Sequence, residues 1–296
     1  MFKKNFNKKN DIYVFDINKS STIEVSKFYS KDPFPNYKST DNKSSMLEIG
    51  NKNQLLKEFK DAIGQNKDVL EVGCGTGQLS NFLAIGTNNR IVSVDPTIKS
   101  LEIANSFSKK NNIQNITYVN ADITEGIFND HLFDFIWCNG VLHHTEDPYK
   151  SFQSLIRTLK PKGYIVLGMY NFLGRIRTKV RKYLYKVFGK RLIMIMDPII
   201  RKLKSENQIN AWIRDQYAHP LESTHSYDEI LRWFKKNDIE YINSIPHSNF
   251  NYLLRKKYFK VEDYGNVFSR ILNQFFMIFN KYGDDGGLFI LIGKKK

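Results

Sequence analysis

The chain has 296 residues, 41% of them hydrophobic and 14% aromatic, enough to build the core of one α/β domain that carries insertions. Its net charge of +15 is concentrated, because residues 172–204 hold eleven Lys/Arg and one Asp, so basicity alone does not mark a nucleic-acid binder. Two cysteines, Cys74 and Cys138, form no CxxC pair and exclude a disulfide framework; with no apolar run after the basic N-terminus and none of the ~18 residues a spanning helix needs, a cytoplasmic chain is expected.

Residues 1–45 are rich in Asn, Lys and Ser, and the first ten read as disordered. Phe28, Tyr29, Phe34 and Tyr37 gather with Pro33 and Pro35, which a solvated tail has no reason to hold. That cluster either closes over a site as a lid or packs on the domain surface. Leu47, Leu55, Leu56, Phe59 and Ile63 predict helix over residues 46–64. Val69, Leu70 and Val72 then read as a buried strand. Gly73, Gly75 and Gly77 follow at every second position, and Leu79, Phe82 and Leu83 begin a helix. Glycine lets the main chain turn tightly and lets a ligand approach it, and amides at the helix start are expected to face the crevice. The loop departs from the dinucleotide pattern G-x-G-x-x-G. Glu71, two residues before the first glycine, suits a cationic ligand and is a poor neighbour for a pyrophosphate.

Arg90–Asp95, Ile116–Val119, Phe133–Cys138 and Tyr164–Met169 read as strands two to five, separated by helical segments. One helix carries Leu101, Ile103, Ala104 and Phe107; another starts at Asp147-Pro148 and carries Phe152, Leu155, Ile156 and Leu159. This alternation predicts a parallel sheet covered on both faces, with ligands beyond the carboxyl ends of its strands. Asp95, Asp122 and Asn139 stand at successive strand ends.

The run Val69-Leu70-Glu71-Val72-Gly73-Cys74-Gly75-Thr76-Gly77 resembles the first motif of the class I S-adenosylmethionine (SAM) dependent methyltransferases. Val141-Leu142-His143-His144, followed by Asp147-Pro148, resembles a run seen in their small-molecule members. The resemblance covers roughly residues 65–170 and, loosely, the C-terminal strands. It implies an α/β Rossmann-like, seven-stranded sheet of order 3-2-1-4-5-7-6, with the last strand antiparallel and with helical insertions. It also implies SAM as cofactor, held by Glu71, Gly73, Gly75, Gly77 and Asn139, with Asp95 on the ribose hydroxyls and Asp122 with Ile123 at the adenine. The Asn/Asp-Pro-Pro-Tyr/Phe run of base-amine methylases is absent, as is a Pro-Cys nucleophile, since Cys138 precedes Asn139 with no adjacent proline. His144, ahead of His143, is the candidate base for an acceptor hydroxyl; the alternative is that one ring stacks beside the cofactor and the other caps the following turn.

Beyond strand five, Ile176, Val180, Leu184, Val187 and Phe188 recur between Arg175, Arg177, Lys179, Arg181, Lys182 and Lys186, a basic amphipathic helix. It either packs on the sheet with a solvated basic face, attaches to an anionic membrane, or binds RNA. Tyr217, His219 and Glu222, in a polar and aromatic stretch, are expected to face the substrate. Pro220 argues against a metal held by His219, Glu222 and His225. Ser226-Tyr227-Asp228-Glu229 is a capping box for a helix bearing Ile230, Leu231 and Phe234. Glu240–Ile245 and Gly287–Gly293 read as the last strands, and between them residues 267–279 form a wide apolar helix face.

The expected divisions are an arm with a lid (1–45), a SAM-binding core (46–171), a basic insertion with a substrate-side loop (172–226) and the rest of the core (227–296), with an insertion at about 250–282. The expected function is methyl transfer to a small-molecule acceptor, hydroxyl oxygen favoured and apolar or lipid-like in character, with residues 172–204 touching an anionic membrane. An RNA methyltransferase and a non-catalytic lipid-surface binding protein are the alternatives.

Overall fold

The computed structural model describes all residues except 32, 36, 204, 219, 220, 250–256 and 280–286. The chain begins with strands β1 (Asn7–Lys9) and β2 (Ile12–Val14) and helices α1 (Ser20–Lys31), α2 (Lys43–Lys52) and α3 (Gln54–Ile63). Strands and helices then alternate as β3 (Asp68–Val72), α4 (Gln78–Ala84), β4 (Arg90–Asp95), α5 (Ile98–Lys110), β5 (Ile116–Asn120), β6 (Phe133–Asn139), α6 (Pro148–Thr158) and β7 (Leu159–Tyr170). After β7 come α7 (Ile176–Phe188), α8 (Lys190–Met196) and α9 (Glu206–Ile213). The chain closes with α10 (Tyr227–Lys236), β8 (Ile239–Ile245), α11 (Val267–Phe276) and β9 (Leu288–Lys295).

The sheet has nine strands among the described residues, not the seven expected, in the order β1-β2-β5-β4-β3-β6-β7-β9-β8. Strands β5, β4, β3, β6 and β7 run parallel, and β9 enters antiparallel between β7 and β8. The extra two strands come from the N-terminal arm, the first of them within the ten residues read as disordered. Asn10 and Asp11 both take positive φ and close a two-residue hairpin, a conformation that Asn and Asp tolerate. Strand β2 then adds to β5, pairing Tyr13 with Val119. Phe2, Phe6, Tyr13 and Phe15 pack together and onto Phe128, so the hairpin holds by aromatic burial that the Asn/Lys composition conceals.

Successive side chains on β3 feed opposite layers, as the pleat dictates. Leu70 and Val72 join Phe152, Leu155 and Ile156 of α6 and Ile230 and Phe234 of α10. Val69 joins Leu55, Phe59 and Ile63 of α3 and Phe82 and Leu83 of α4. The capping box at Ser226 is half present, since Ser226 Oγ accepts from the Glu229 amide. Strand β7 starts at Leu159 rather than Tyr164, because Leu159 pairs with Phe133 ahead of a register shift.

The basic insertion is two helices, broken at Gly189, which takes φ +72°. Leu184 and Tyr185 pack with Ile193, Ile200, Ile213 and Tyr217 in a small separate core. Ile176, Val180, Val187 and Phe188 are exposed, which does not fit the alternative in which this helix packs its apolar face on the sheet.

Candidate active site

A cavity of about 580 Å³ opens at the carboxyl ends of β3, β4, β6 and β7, within the roughly 300–1,000 Å³ usual for small-ligand sites. A recess of about 70 Å³ adjoins it beneath α1. Val72, Gly73, Pro96, Val141 and His144 line both.

The turn from β3 to α4 builds one wall. Gly73, Gly75 and Gly77 have φ of +68°, +53° and +77°. A Cβ at Gly73 would run into Val141 and one at Gly75 into the Phe34 carbonyl, so the turn tolerates no side chain. The amides of this turn are engaged within the protein. Those of Gly73 and Cys74 donate to the Val94 carbonyl, Gly75 to Asp95 Oδ2, Thr76 to the Phe34 carbonyl and Gly77 to the Cys74 carbonyl. The amides expected to face the crevice belong to the start of α4, where Gln78 and Leu79 line the cavity. Beside them the crevice presents carboxyl groups.

Asp95 caps the end of β4, accepting from the Gly75 and Thr97 amides at 2.8 Å each. Burial still raises its carboxyl above the ordinary value. Glu71 lies on the cavity wall and accepts from Ser80 Oγ. Burial, with the nearby charge of Asp95, pushes it up to about 8. Asp122 and Ile123 line the recess. Asp122 Oδ1 caps the turn at Thr124, and Oδ2 accepts from Thr22 Oγ1 of α1 at 2.7 Å. Asn139 ends β6 on the cavity wall, and its buried Oδ1 has no hydrogen-bond partner among the described residues. It leans on Gly168, where a Cβ would collide with it.

The N-terminal arm reaches the same turn. Thr76 Oγ1 donates to the Pro35 carbonyl, and Tyr37 Oη donates to the Thr76 carbonyl at 2.9 Å while stacking on Phe107. Tyr29, Phe34 and Pro35 line the cavity.

The far wall separates the two histidines. His144 lines the cavity, and its Nδ1 lies 2.7 Å from the Leu221 carbonyl. A carbonyl only accepts, so in the neutral ring Nδ1 carries the proton and Nε2 the lone pair. His143 is fully buried and stacks on Tyr170 at 3.9 Å. The other face of Tyr170 carries the Arg175 guanidinium at 3.7 Å. Arg175, itself fully buried, makes a two-pronged ion pair with Glu222, at 3.0 and 2.7 Å, and donates to Gln216. Burial opposes ionisation of Glu222, but the guanidinium outweighs it and holds the carboxyl below its ordinary value.

Two of the expected substrate contacts are not at the cavity. Tyr217 turns into the helical insertion and donates to Asp197 Oδ2 at 2.6 Å. Glu222 is committed to Arg175. His219 lies outside the described residues. Trp137, Tyr170, Trp212, Gln216, Leu288 and Ile290 line the cavity in their place. Tyr170 was open to detection as the residue ending strand five; Trp212 and Gln216 arrive through an insertion whose path the sequence pattern does not reveal.

A family model described as a methyltransferase domain matches residues 70–167, from β3 to β7. The ubiquinone biosynthesis O-methyltransferase of Haemophilus ducreyi is 31% identical over 136 residues, which are 45% of this chain and 55% of that protein. Its namesake from Vibrio cholerae is 26% identical over 147 residues, 49% and 56% of the two. The chain spans about half the length of the curated relatives it matches. Among solved structures, PKMT2 from Rickettsia typhi in complex with AdoHcy superposes with a TM-score of 0.56 at 14% identity, over 81% of this chain and 53% of that one. That likeness carries the fold alone.

Residues 70–167 are a class I methyltransferase domain. The methyltransferase domain has a mixed α/β Rossmann-like fold, and SAM is the methyl donor of the family it matches. The site fits that molecule. The buried Asn139 Oδ1 on the cavity wall is an acceptor without a donor among the described residues, and the Glu71 and Asp95 carboxyls on the same wall suit a cationic nucleoside. A pyrophosphate would instead find engaged amides and acids.

Proposed function

We propose that the protein transfers a methyl group from SAM to a hydroxyl oxygen of a small, largely apolar acceptor. SAM supplies an electrophilic methyl on a sulfonium. In this reading Asp95 accepts from the ribose hydroxyls, Asp122 and Ile123 hold the adenine end of the recess, and Glu71 offsets positive charge. Trp137, Tyr170, Trp212 and Leu288 form the acceptor's walls and exclude water, while orienting the hydroxyl against the methyl supplies most of the rate. The observation that carries the oxygen acceptor is His144, whose Nδ1–H is fixed on the Leu221 carbonyl so that Nε2 can receive the hydroxyl proton. The similarity to proteins named O-methyltransferases supports the same choice.

The test is a panel of phenols, catechols and aliphatic alcohols incubated with SAM carrying a deuterated methyl, read by mass spectrometry. His144→Ala is expected to lower kcat about 10²–10⁴-fold, the usual worth of a general base, while leaving SAM affinity unchanged. Turnover unaffected by that substitution contradicts the base, and methylation confined to amines contradicts the oxygen acceptor.

A further inference from the structure

Among the described residues, twenty-one large hydrophobic side chains are exposed; nine lie in residues 172–196 and eight in residues 261–279. In α11 and the turn after it, the usual amphipathic order is reversed. Arg270, Asn273 and Gln274 are buried, bonded to Asp228, the His247 carbonyl and Asn171. Phe268, Ile271, Phe275 and Phe279, which share one face at helical spacing, point outward, with Phe268 73% and Phe279 64% exposed. Helix α7 repeats the pattern, with Thr178 buried and Ile176, Val180, Tyr183 and Val187 outward among the exposed Arg177, Lys179 and Lys186. The two segments meet, since Arg177 Nη1 donates to the Ile278 carbonyl at 3.3 Å and Asn171 Nδ2 to Gln274 Oε1 at 2.8 Å. Apolar stripes of this extent are unfavourable in water and mark a surface that is covered in use.

We propose that α7 and α11 together form a docking surface for an anionic lipid bilayer, the phenylalanines entering the acyl boundary and the basic residues lying among the head groups. Charge selects the occupant. Residues 172–204 carry eleven Lys/Arg against one Asp, so two copies set face to face would bring like charges together. RNA matches the charge of α7 but not the second stripe, because residues 261–279 offer it Arg270, which is buried on Asp228, beside Glu262 and Asp263. No described helix is long and apolar enough to cross a membrane, so the contact is interfacial. The inference does not depend on the acceptor or on turnover.

The experiment is co-sedimentation of the full chain with vesicles of phosphatidylcholine alone and of equal parts phosphatidylcholine and phosphatidylglycerol. Binding is expected to the anionic vesicles, to weaken with salt, and to be absent from the neutral ones. The triple variant Phe268→Ser, Phe275→Ser, Phe279→Ser is expected to lose at least about tenfold in binding with an unchanged unfolding temperature. The exposed pair Lys179→Glu and Lys186→Glu, which leaves the apolar stripes intact, is expected to weaken binding as well. Wild-type protein that stays in the supernatant, that binds both vesicles equally, or that binds as well after either set of substitutions overturns the proposal. So does light scattering that shows a lipid-free dimer made monomeric by the phenylalanine variant.

Discussion

Burial holds the Glu71 carboxyl at about 8 in the folded protein, far above its ordinary value near 4.5. A carboxyl raised on folding contributes stability that is fully present below the ordinary value and is lost as pH rises through the folded one. The wild-type protein is therefore expected to lose stability progressively between about pH 4.5 and 8 in urea titrations and to level off above, and Glu71→Gln to flatten that part of the profile. A cationic ligand favours the ionised form, so SAM binding near pH 7 should release a proton from Glu71. Calorimetry in two buffers of different ionisation enthalpy reads that proton, and it should vanish in Glu71→Gln. The Arg175–Glu222 pair makes a second residue-scale prediction. Removing one partner strands a buried charge, so Arg175→Met is expected to cost about 3–5 kcal/mol by urea unfolding. Arg175→Met with Glu222→Leu should recover much of it, since an apolar pair of similar volume carries no such penalty. Glu71, Asp95 and Asp122 were legible in the sequence because each stands at a fixed offset from a strand end. Arg175 and Glu222 were not, because 47 residues separate them and nothing in either local pattern announces a buried ion pair.

The turn between β3 and α4 couples cofactor site and arm at the scale of elements. Phe34 supplies the carbonyl that receives the Thr76 amide and that a Cβ at Gly75 would strike. Gly75→Ala thus combines an unfavourable φ of +53° with a clash, and is expected to weaken SAM binding and to expose the arm. Limited proteolysis should then cut between residues 28 and 41 faster than in wild type, whereas an unchanged rate would separate the arm from the turn. Most helices and strands of the core were legible because each repeats at its own period; the helix expected over residues 46–64 is instead two, α2 and α3, because Asn53 ends one and caps the next. The β1–β2 hairpin was hidden because its strands are three residues each and its stability comes from Phe2, Phe6 and Phe15 packing together and Phe2 reaching Phe128, a contact remote in sequence. The surroundings of helices α7 and α11 were left open for a related reason. Periodicity locates an apolar face but says nothing of whether the core or the surroundings will cover it.

Across the whole molecule, the methyltransferase domain supplies a parallel sheet whose strand tips carry the groups proposed to hold the cofactor. The later insertions supply Trp212 and Gln216 of the cavity wall and most of the exposed apolar surface. The first part repeats a pattern common to many chains and could be read from nine residues; the second depends on how α7–α9 fold back over β7, which no local motif encodes. The most direct measurement is calorimetric titration of the full chain with SAM, run beside Asp95→Asn. Wild type should give saturable one-site binding, and Asp95→Asn, which keeps the contact to the Gly75 amide but lacks charge-assisted bonds to the ribose, should bind more weakly by about 1.5–3 kcal/mol. Absence of saturable heat with SAM, equal affinity in the two proteins, or binding of a nicotinamide dinucleotide in its place would contradict the cofactor site.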